Sequence, residues 1–332
     1  MISGVVNAPK IQNHIFKKSK TNIPLGVFAN ITKIKDFSGH RSAIYSMIYD
    51  HQKQVLYSAG GDGWIVKWYP LSDNPDGVLT GNTTTKIFSL ALNDRKSLLV
   101  AGDMDGHLYW LDSAENIIIK RSAFHKGSIL ELVFVNDDIL YSVSNDGYLC
   151  RWNVNDMVPE LSLRLSTQGL RCIKYDQGRD LLYIGASDNN IYVVDIYNFQ
   201  IQHVITQAHR NSVFCIEMLD NLTMISGGRD AVCHLWDVLE YSKKKTIDAH
   251  WFTVNKIVGI PELSAFATAS RDKTWRLWSA DDFKLLKNID VQKGGHINSV
   301  NALVWIPEAG LMVSAGDDRM IRMFKIEMSA PQ

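Results

Sequence analysis

The sequence predicts an all-β fold, a seven-bladed β-propeller of four-stranded antiparallel blades, closed by pairing an N-terminal strand with the C-terminal blade. Three observations predict it. An aspartate inside a small-residue turn recurs seven times at a nearly constant interval. Each interval holds four short strand-like runs. The last unit lacks one strand, and a spare one stands at residues 31–37, ahead of the first unit.

The aspartates are Asp62, Asp105, Asp146, Asp188, Asp230, Asp272 and Asp318, separated by 43, 41, 42, 42, 42 and 46 residues. A period of this length marks a repeat architecture, in which each unit buries its apolar faces against its neighbours. In unit five, Val213–Ile216 and Thr223–Ser226 precede the aspartate turn, Ala231–Trp236 follows it, and Lys245–Ile247 leads to the next unit. These runs are β-branched or aromatic and are bounded by Asp, Asn, Gly and Pro turns. Four strands at this spacing match a propeller blade. The last unit ends at Phe324-Lys325-Ile326, and ITKIKDF at 31–37 would supply its outer strand, removing two open sheet edges. Residues 1–30 then form an N-terminal extension to a propeller over 31–328. Their HIFKKSK segment is either a solvated tail or an extra strand or arm.

The stretch Ile225–Asp237, ISGGRDAVCHLWD, raises a chemical alternative. With His209 upstream, Ser226 and Asp230 complete the residue types of a hydrolytic triad. The trio, however, repeats. His40, His125, His209, His250 and His296 precede their aspartates by 21 or 22 residues, and Ser58, Ser142, Ser226, Thr268 and Ser314 precede them by four. Trp68, Trp152, Trp236 and Trp278 follow by six, with Phe324 in the last unit. An enzyme needs one active site rather than five copies, so the trio reads as a buried hydrogen-bond relay.

These pieces resemble the WD-repeat family, in which a GH-like dipeptide opens each unit and a WD-like dipeptide closes its third strand. The matches are SGH, AFH, QAH, DAH and GGH, then VKWY, CRWN, HLWD and RLWS. The resemblance implies a His–Ser/Thr–Asp–Trp hydrogen-bonded tetrad within a blade. Units two and four depart from it: Thr83 and Thr167 stand near the histidine position, Ala101 and Ile184 replace the hydroxyl, and Leu111-Asp112 and Val194-Asp195 replace Trp-Asp. Those blades are expected to rely on apolar packing and to be less rigid.

Composition narrows the function. The 332 residues are 46% hydrophobic, 10% aromatic and 21% charged, as in a folded soluble protein. Lys+Arg and Asp+Glu are each 35, which gives no global charge for nucleic acid or an anionic membrane. The first residues lack the apolar core of a secretory signal, and no apolar run approaches a membrane span. Cys150, Cys172, Cys215 and Cys233 have no CxxC spacing and fall in apolar runs, so they are expected as buried free thiols in the cytoplasm. His14, His51, His107, His203 and His234 are scattered without metal spacing, and no P-loop or nucleophile elbow is present. No metal, cofactor or catalytic residue is expected. The alternative is a propeller enzyme with a hydrolase-like site at the channel mouth.

The histidine and aspartate turns must share a face if their side chains meet. The resemblance implies that residues flanking them carry interaction hot spots. Blades one to three contribute an apolar sector, Tyr45, Phe88, Met104 and Leu130. Blades four to six contribute Arg171, Arg210, Arg229 and Arg271 with Phe214 and Trp251. Arginine with aromatic residues is the composition favoured at protein hot spots, and guanidinium suits carboxylate or phosphate. The plainer reading pairs these arginines with local acids such as Asp317. The opposite face collects Asp50, Asp94, Asp137, Asp138, Asp176, Asp180, Asp220, Glu262 and Glu308, a weak pointer to a second partner. The expected function is a non-catalytic scaffold, a monomeric propeller within a larger complex. It would bind a protein or peptide, acidic or with an apolar anchor, and neither nucleic acid nor membrane.

Overall fold

The computed structural model describes residues 28–329, which form seven four-stranded antiparallel sheets. HIFKKSK lies outside the described residues. From the channel outward, blade five runs Val213–Met218, Thr223–Gly228, Cys233–Asp237 and Lys243–Ile247, each strand pairing with the next. The innermost strands contact one another in order around the ring, and that of blade seven, Val300–Ile306, returns to that of blade one, Ile44–Asp50.

Second strands are the most buried. Val55–Gly60, Leu98–Asp103, Leu181–Ala186, Ala265–Ser270 and Leu311–Gly316 are buried at every position. Both faces of these strands are covered by adjacent blades, so the sequence shows continuous apolar runs in place of alternation. The core is therefore a ring of inter-blade layers, in which fully buried Trp68, Trp110, Trp152 and Trp275 contribute the largest side chains.

Closure joins the two chain ends in blade seven. Phe28–Ser38 pairs antiparallel with Met320–Ser329, with Ile31 opposite Ile326 and Ser38 opposite Met320. The closing strand begins at Phe28, earlier than the 31–37 of the sequence reading, and carries a bulge between Lys33 and Lys35. Those extra residues carry no local cue, because Ala29 and Asn30 lack strand character. No helix among the described residues is long and apolar enough to cross a membrane.

Candidate functional site at the channel mouth

In five blades one relay binds the histidine loop to the aspartate turn. In blade five His209 Nδ1 lies 2.9 Å from Asp230, His209 Nε2 lies 2.8 Å from Ser226 Oγ, and Trp236 Nε1 donates to that Oγ at 2.8 Å. Because indole only donates, the serine hydroxyl is left to donate to Nε2, and Nδ1–H then donates to the carboxylate. The same bonds join His40, Ser58, Asp62 and Trp68; His125, Ser142, Asp146 and Trp152; and His250, Thr268, Asp272 and Trp278. Blade seven joins His296, Ser314 and Asp318, and its Phe324 packs without a hydrogen bond. The four serines and Thr268 are fully buried. A hydroxyl that already accepts from indole and donates to imidazole inside a blade cannot meet a substrate.

The carboxylates also accept backbone N–H groups, from Lys126 and Tyr148 at Asp146 for example. Burial alone would raise the Asp146 pKa, yet the His125 bond and those amides hold it down to about 2. Asp62, Asp230, Asp272 and Asp318 are lowered against burial in the same way. Burial lowers His40 and His250 in spite of their carboxylates.

Blades two and four use different polar sets, which corrects the expectation of apolar packing alone. In blade two the turn aspartate, Asp105, is exposed, and Asp103 takes the buried place. Its carboxylate accepts the amides of Asp105 and His107 at 2.9 and 2.8 Å, and the Thr85 hydroxyl and His107 Nδ1 at 3.1 Å each. Arg121 in turn donates to His107 Nε2 at 2.9 Å. In blade four Asp188 accepts from Ser166 at 2.5 Å and Tyr192 at 2.7 Å. Thr83 instead donates to backbone carbonyls, and Thr167 is exposed.

A second device repeats near the start of every innermost strand. Tyr45, Phe88, Leu130, Arg171, Phe214, Asn255 and Asn301 are each the extra residue of a β-bulge near the start of an innermost strand. A bulge places one residue out of the ladder and turns its side chain away from the regular alternation. The residue before each aspartate is tied beside it: Met104 N–H donates to Lys86 O, Ser187 N–H to Gly169 O, Arg229 N–H to Ser212 O and Arg271 N–H to Thr253 O, at 2.8 to 3.0 Å. The sequence-selected residues thus divide into a bulge ring and a turn ring. Tyr45 and Phe88 rings are 4.9 Å apart, and the Arg171 guanidinium lies over Phe214 at 5.4 Å. Met104, Arg210, Arg229, Trp251 and Arg271 are exposed, and Tyr45, Phe88, Leu130, Arg171 and Phe214 half-buried.

The arginines do not pair with local acids. Asp317 accepts from Asn301 at 2.7 Å, and Arg171, Arg210, Arg229 and Arg271 form no ion pair among the described residues. Sequence reasoning missed Phe252 and Ile297, 59% and 57% exposed beside the histidine turns. Their signal was available, a large apolar residue one or two places after the repeated histidine. It also missed a bridge across the channel. Lys256 of blade six reaches Glu131 of blade three at 2.6 Å, and the other Glu131 oxygen accepts Ile173 N–H at 2.9 Å. Residues 125 apart in sequence carry no local cue.

The opposite face is less free than its acids suggested. Asp50 accepts two amides of its own turn, Arg95 and Lys96 pair with Asp137 and Asp138 of the next blade, and Glu262 accepts from Trp305. The four thiols are buried, and burial raises their pKa. His209, Asp230 and His234 bring three donor atoms within 4.8 Å of one another. Both His209 nitrogens are committed to the relay, and His234 Nε2 faces the Lys243 ammonium at 3.5 Å. A metal there would have to break the relay beside a cation.

The model for "WD domain, G-beta repeat" matches residues 31–68, 74–112, 200–237, 241–279 and 286–325, more than half of the chain. The chain is similar to protein tipD of Dictyostelium discoideum, 22% identical over 86% of this chain and 48% of that protein. It is 23% identical to the ribosome biogenesis protein YTM1 of Ajellomyces capsulatus over 92% of this chain and 56% of that one. It is 24% identical to the target of rapamycin complex subunit LST8 of Saccharomyces cerevisiae, over 71% and 80%. The chain thus spans about half the length of the first two. The WD40 β-propeller domain of Doa1 superposes with a TM-score of 0.78 at 18% identity, over 90% of this chain and 97% of that domain, a likeness of fold. The chain belongs to the WD-repeat family of β-propellers.

Proposed function

We propose that this chain is a protein-interaction scaffold without chemistry of its own, binding a peptide or protein across the face that carries the histidine and aspartate turns. The observation that carries the reading is the double ring at the channel mouth. All seven blades carry a bulge near the start of the innermost strand, and Arg171, Arg210, Arg229 and Arg271 have no acidic partner among the described residues. An apolar sector around Tyr45, Phe88, Met104 and Leu130 faces a basic-aromatic sector around Arg171, Arg210, Phe214, Arg229, Trp251 and Arg271. Such a surface suits a segment with an acidic portion and an apolar anchor, since interface energy concentrates on aromatic and arginine residues. One relative is by name a complex subunit, which accords with a propeller inside a larger assembly; the proposed form is a monomeric, cytoplasmic propeller.

Charge reversal tests the face. Arg229→Glu with Arg271→Glu should abolish partner recovery in affinity purification while leaving the free energy of unfolding within about 0.5 kcal/mol, as for exposed residues. Undiminished recovery would place the partner elsewhere.

A further inference from the structure

Arg171 is the extra residue of the blade-four bulge, and its guanidinium is held on two sides. Nε donates to Ser187 Oγ at 2.6 Å, and the Phe214 ring lies under the plane, 5.4 Å away. Its two terminal nitrogens have no hydrogen-bond partner among the described residues. Arg229 N–H donates to Ser212 O at 2.9 Å, two residues before the Phe214 that carries Arg171, which sets a second unpaired guanidinium on that side; burial and then Arg229 lower the Arg171 pKa. Holding a half-buried guanidinium beside a second cation, with no counter-ion, costs free energy that an anion would recover. Asp317, in the turn of blade seven, is engaged by Asn301.

We propose that Arg171 and Arg229 form an oxyanion subsite at the channel mouth, receiving one carboxylate or phosphate group of the bound partner. The assignment rests on the reading of this face as the interaction surface and names what it selects. With Nε spent on Ser187, the terminal nitrogens of Arg171 are left to donate in parallel to two oxygens of one planar or tetrahedral oxyanion. Ser187 and Phe214 fix the fork in advance, so little rotamer entropy is lost on binding. Arg229, exposed and unpaired, closes over the same anion from the turn ring.

The test titrates the full chain with sodium phosphate and, separately, sodium acetate at constant ionic strength, following the Arg171 Nε–H resonance by NMR. A saturable shift is expected, with Arg229→Gln weakening the anion about tenfold and Arg95→Gln, on the opposite face, leaving it unchanged. Arg229 is exposed, so this variant keeps the subsite testable even where Arg171→Lys fails to fold. Saturation by phosphate alone assigns a phosphorylated side chain, and saturation by both anions admits a carboxylate. A shift that never saturates, or the same affinity in Arg229→Gln, overturns the subsite. The two readings fail separately. Anion binding with undiminished partner recovery after charge reversal sinks the face and leaves an anion site that does not hold that partner, whereas lost recovery without anion binding keeps the face and sinks the subsite.

Discussion

Blades five and four stand side by side and solve one problem with different chemistry. Both must hold the loop that enters the blade against the turn between its second and third strands. Blade five does so with four groups in series, from the Trp236 indole through Ser226 and His209 to Asp230. Blade four uses a hub, in which Asp188 accepts directly from Ser166 and Tyr192. Blade two is a hub as well, centred on Asp103. A relay reaches the blade core and fails as a whole when a middle member is lost, whereas a hub loses one spoke at a time. The difference lies in how cost is distributed, because every blade keeps a carboxylate at its turn.

The largest expected effect follows from cutting the relay in its middle. Ser226→Ala leaves the Trp236 indole N–H and His209 Nε2 without partners inside a blade. Each orphaned group costs about 1–3 kcal/mol, so about 4 kcal/mol should be lost in urea unfolding at unchanged slope. A loss near 1 kcal/mol would erase the distinction between relay and hub.

Acid should act next on blade five, through His234, whose ring packs 4.5 Å from that of His209. Burial, and then His209 and Lys243, lower the His234 pKa from 6.5 to about 4. The folded state thus binds this proton less readily than the unfolded state. The stability it contributes is complete above pH 6.5 and drains as pH falls to about 4. The shift corresponds to about 3 kcal/mol at most, and His234→Gln should flatten the stability profile in that window. Hydrogen exchange at pH 5 should rise in blade five before blade four, whose aspartate bonds no imidazole. A profile unchanged by the substitution would show that other groups take up the protons.

Asp103→Asn should cost about 2 kcal/mol, since one amide oxygen cannot satisfy four donors and the amide N–H₂ would face them. Asp105→Asn should cost under about 0.5 kcal/mol, as at other exposed positions. This pair also marks the limit of what the sequence disclosed. Relay, period and closing strand were legible because each repeats a residue type at a fixed offset. Asp105 kept the period while the buried bonding moved two residues upstream, into a position that holds Gly, Ser or Ala in every other blade. A period records position and is silent on which carboxylate turns inward. Glu131 and Lys256 were hidden for a related reason: their pairing is set by the pitch of the blades, and no spacing along the chain encodes it.

Within blade four a single spoke is the smaller test. Ser166→Ala leaves Tyr192 and an amide on Asp188; it removes the bond to Asp188 and the one accepted from the exposed Gln168 N–H, which water can replace, and should cost about 1 kcal/mol. A cost equal to that of Ser226→Ala would mean that the hub is cooperative too.

The smallest effect separates the two blade types most cleanly. The residue after each turn aspartate adopts a left-handed backbone in all seven blades: Gly63, Gly106, Gly147, Asn189, Ala231, Lys273 and Arg319. Glycine and asparagine enter this region readily, and other residues at a cost of about 1–2 kcal/mol. The costly choices, Ala231, Lys273 and Arg319, occur only in blades that carry the histidine relay. The two hub blades use Gly106 and Asn189. A relay turn is over-determined and holds a strained residue in place, which a hub turn does not. Ala231→Gly should therefore stabilise by only about 0.5 kcal/mol, the relief of strain less the greater entropy that glycine loses on folding. Asn189→Ala should destabilise by about 1 kcal/mol and speed amide exchange in the blade-four turn, where Ala231→Gly leaves that of blade five unchanged. Equal exchange in both turns would mean that relay and hub hold the backbone with the same grip.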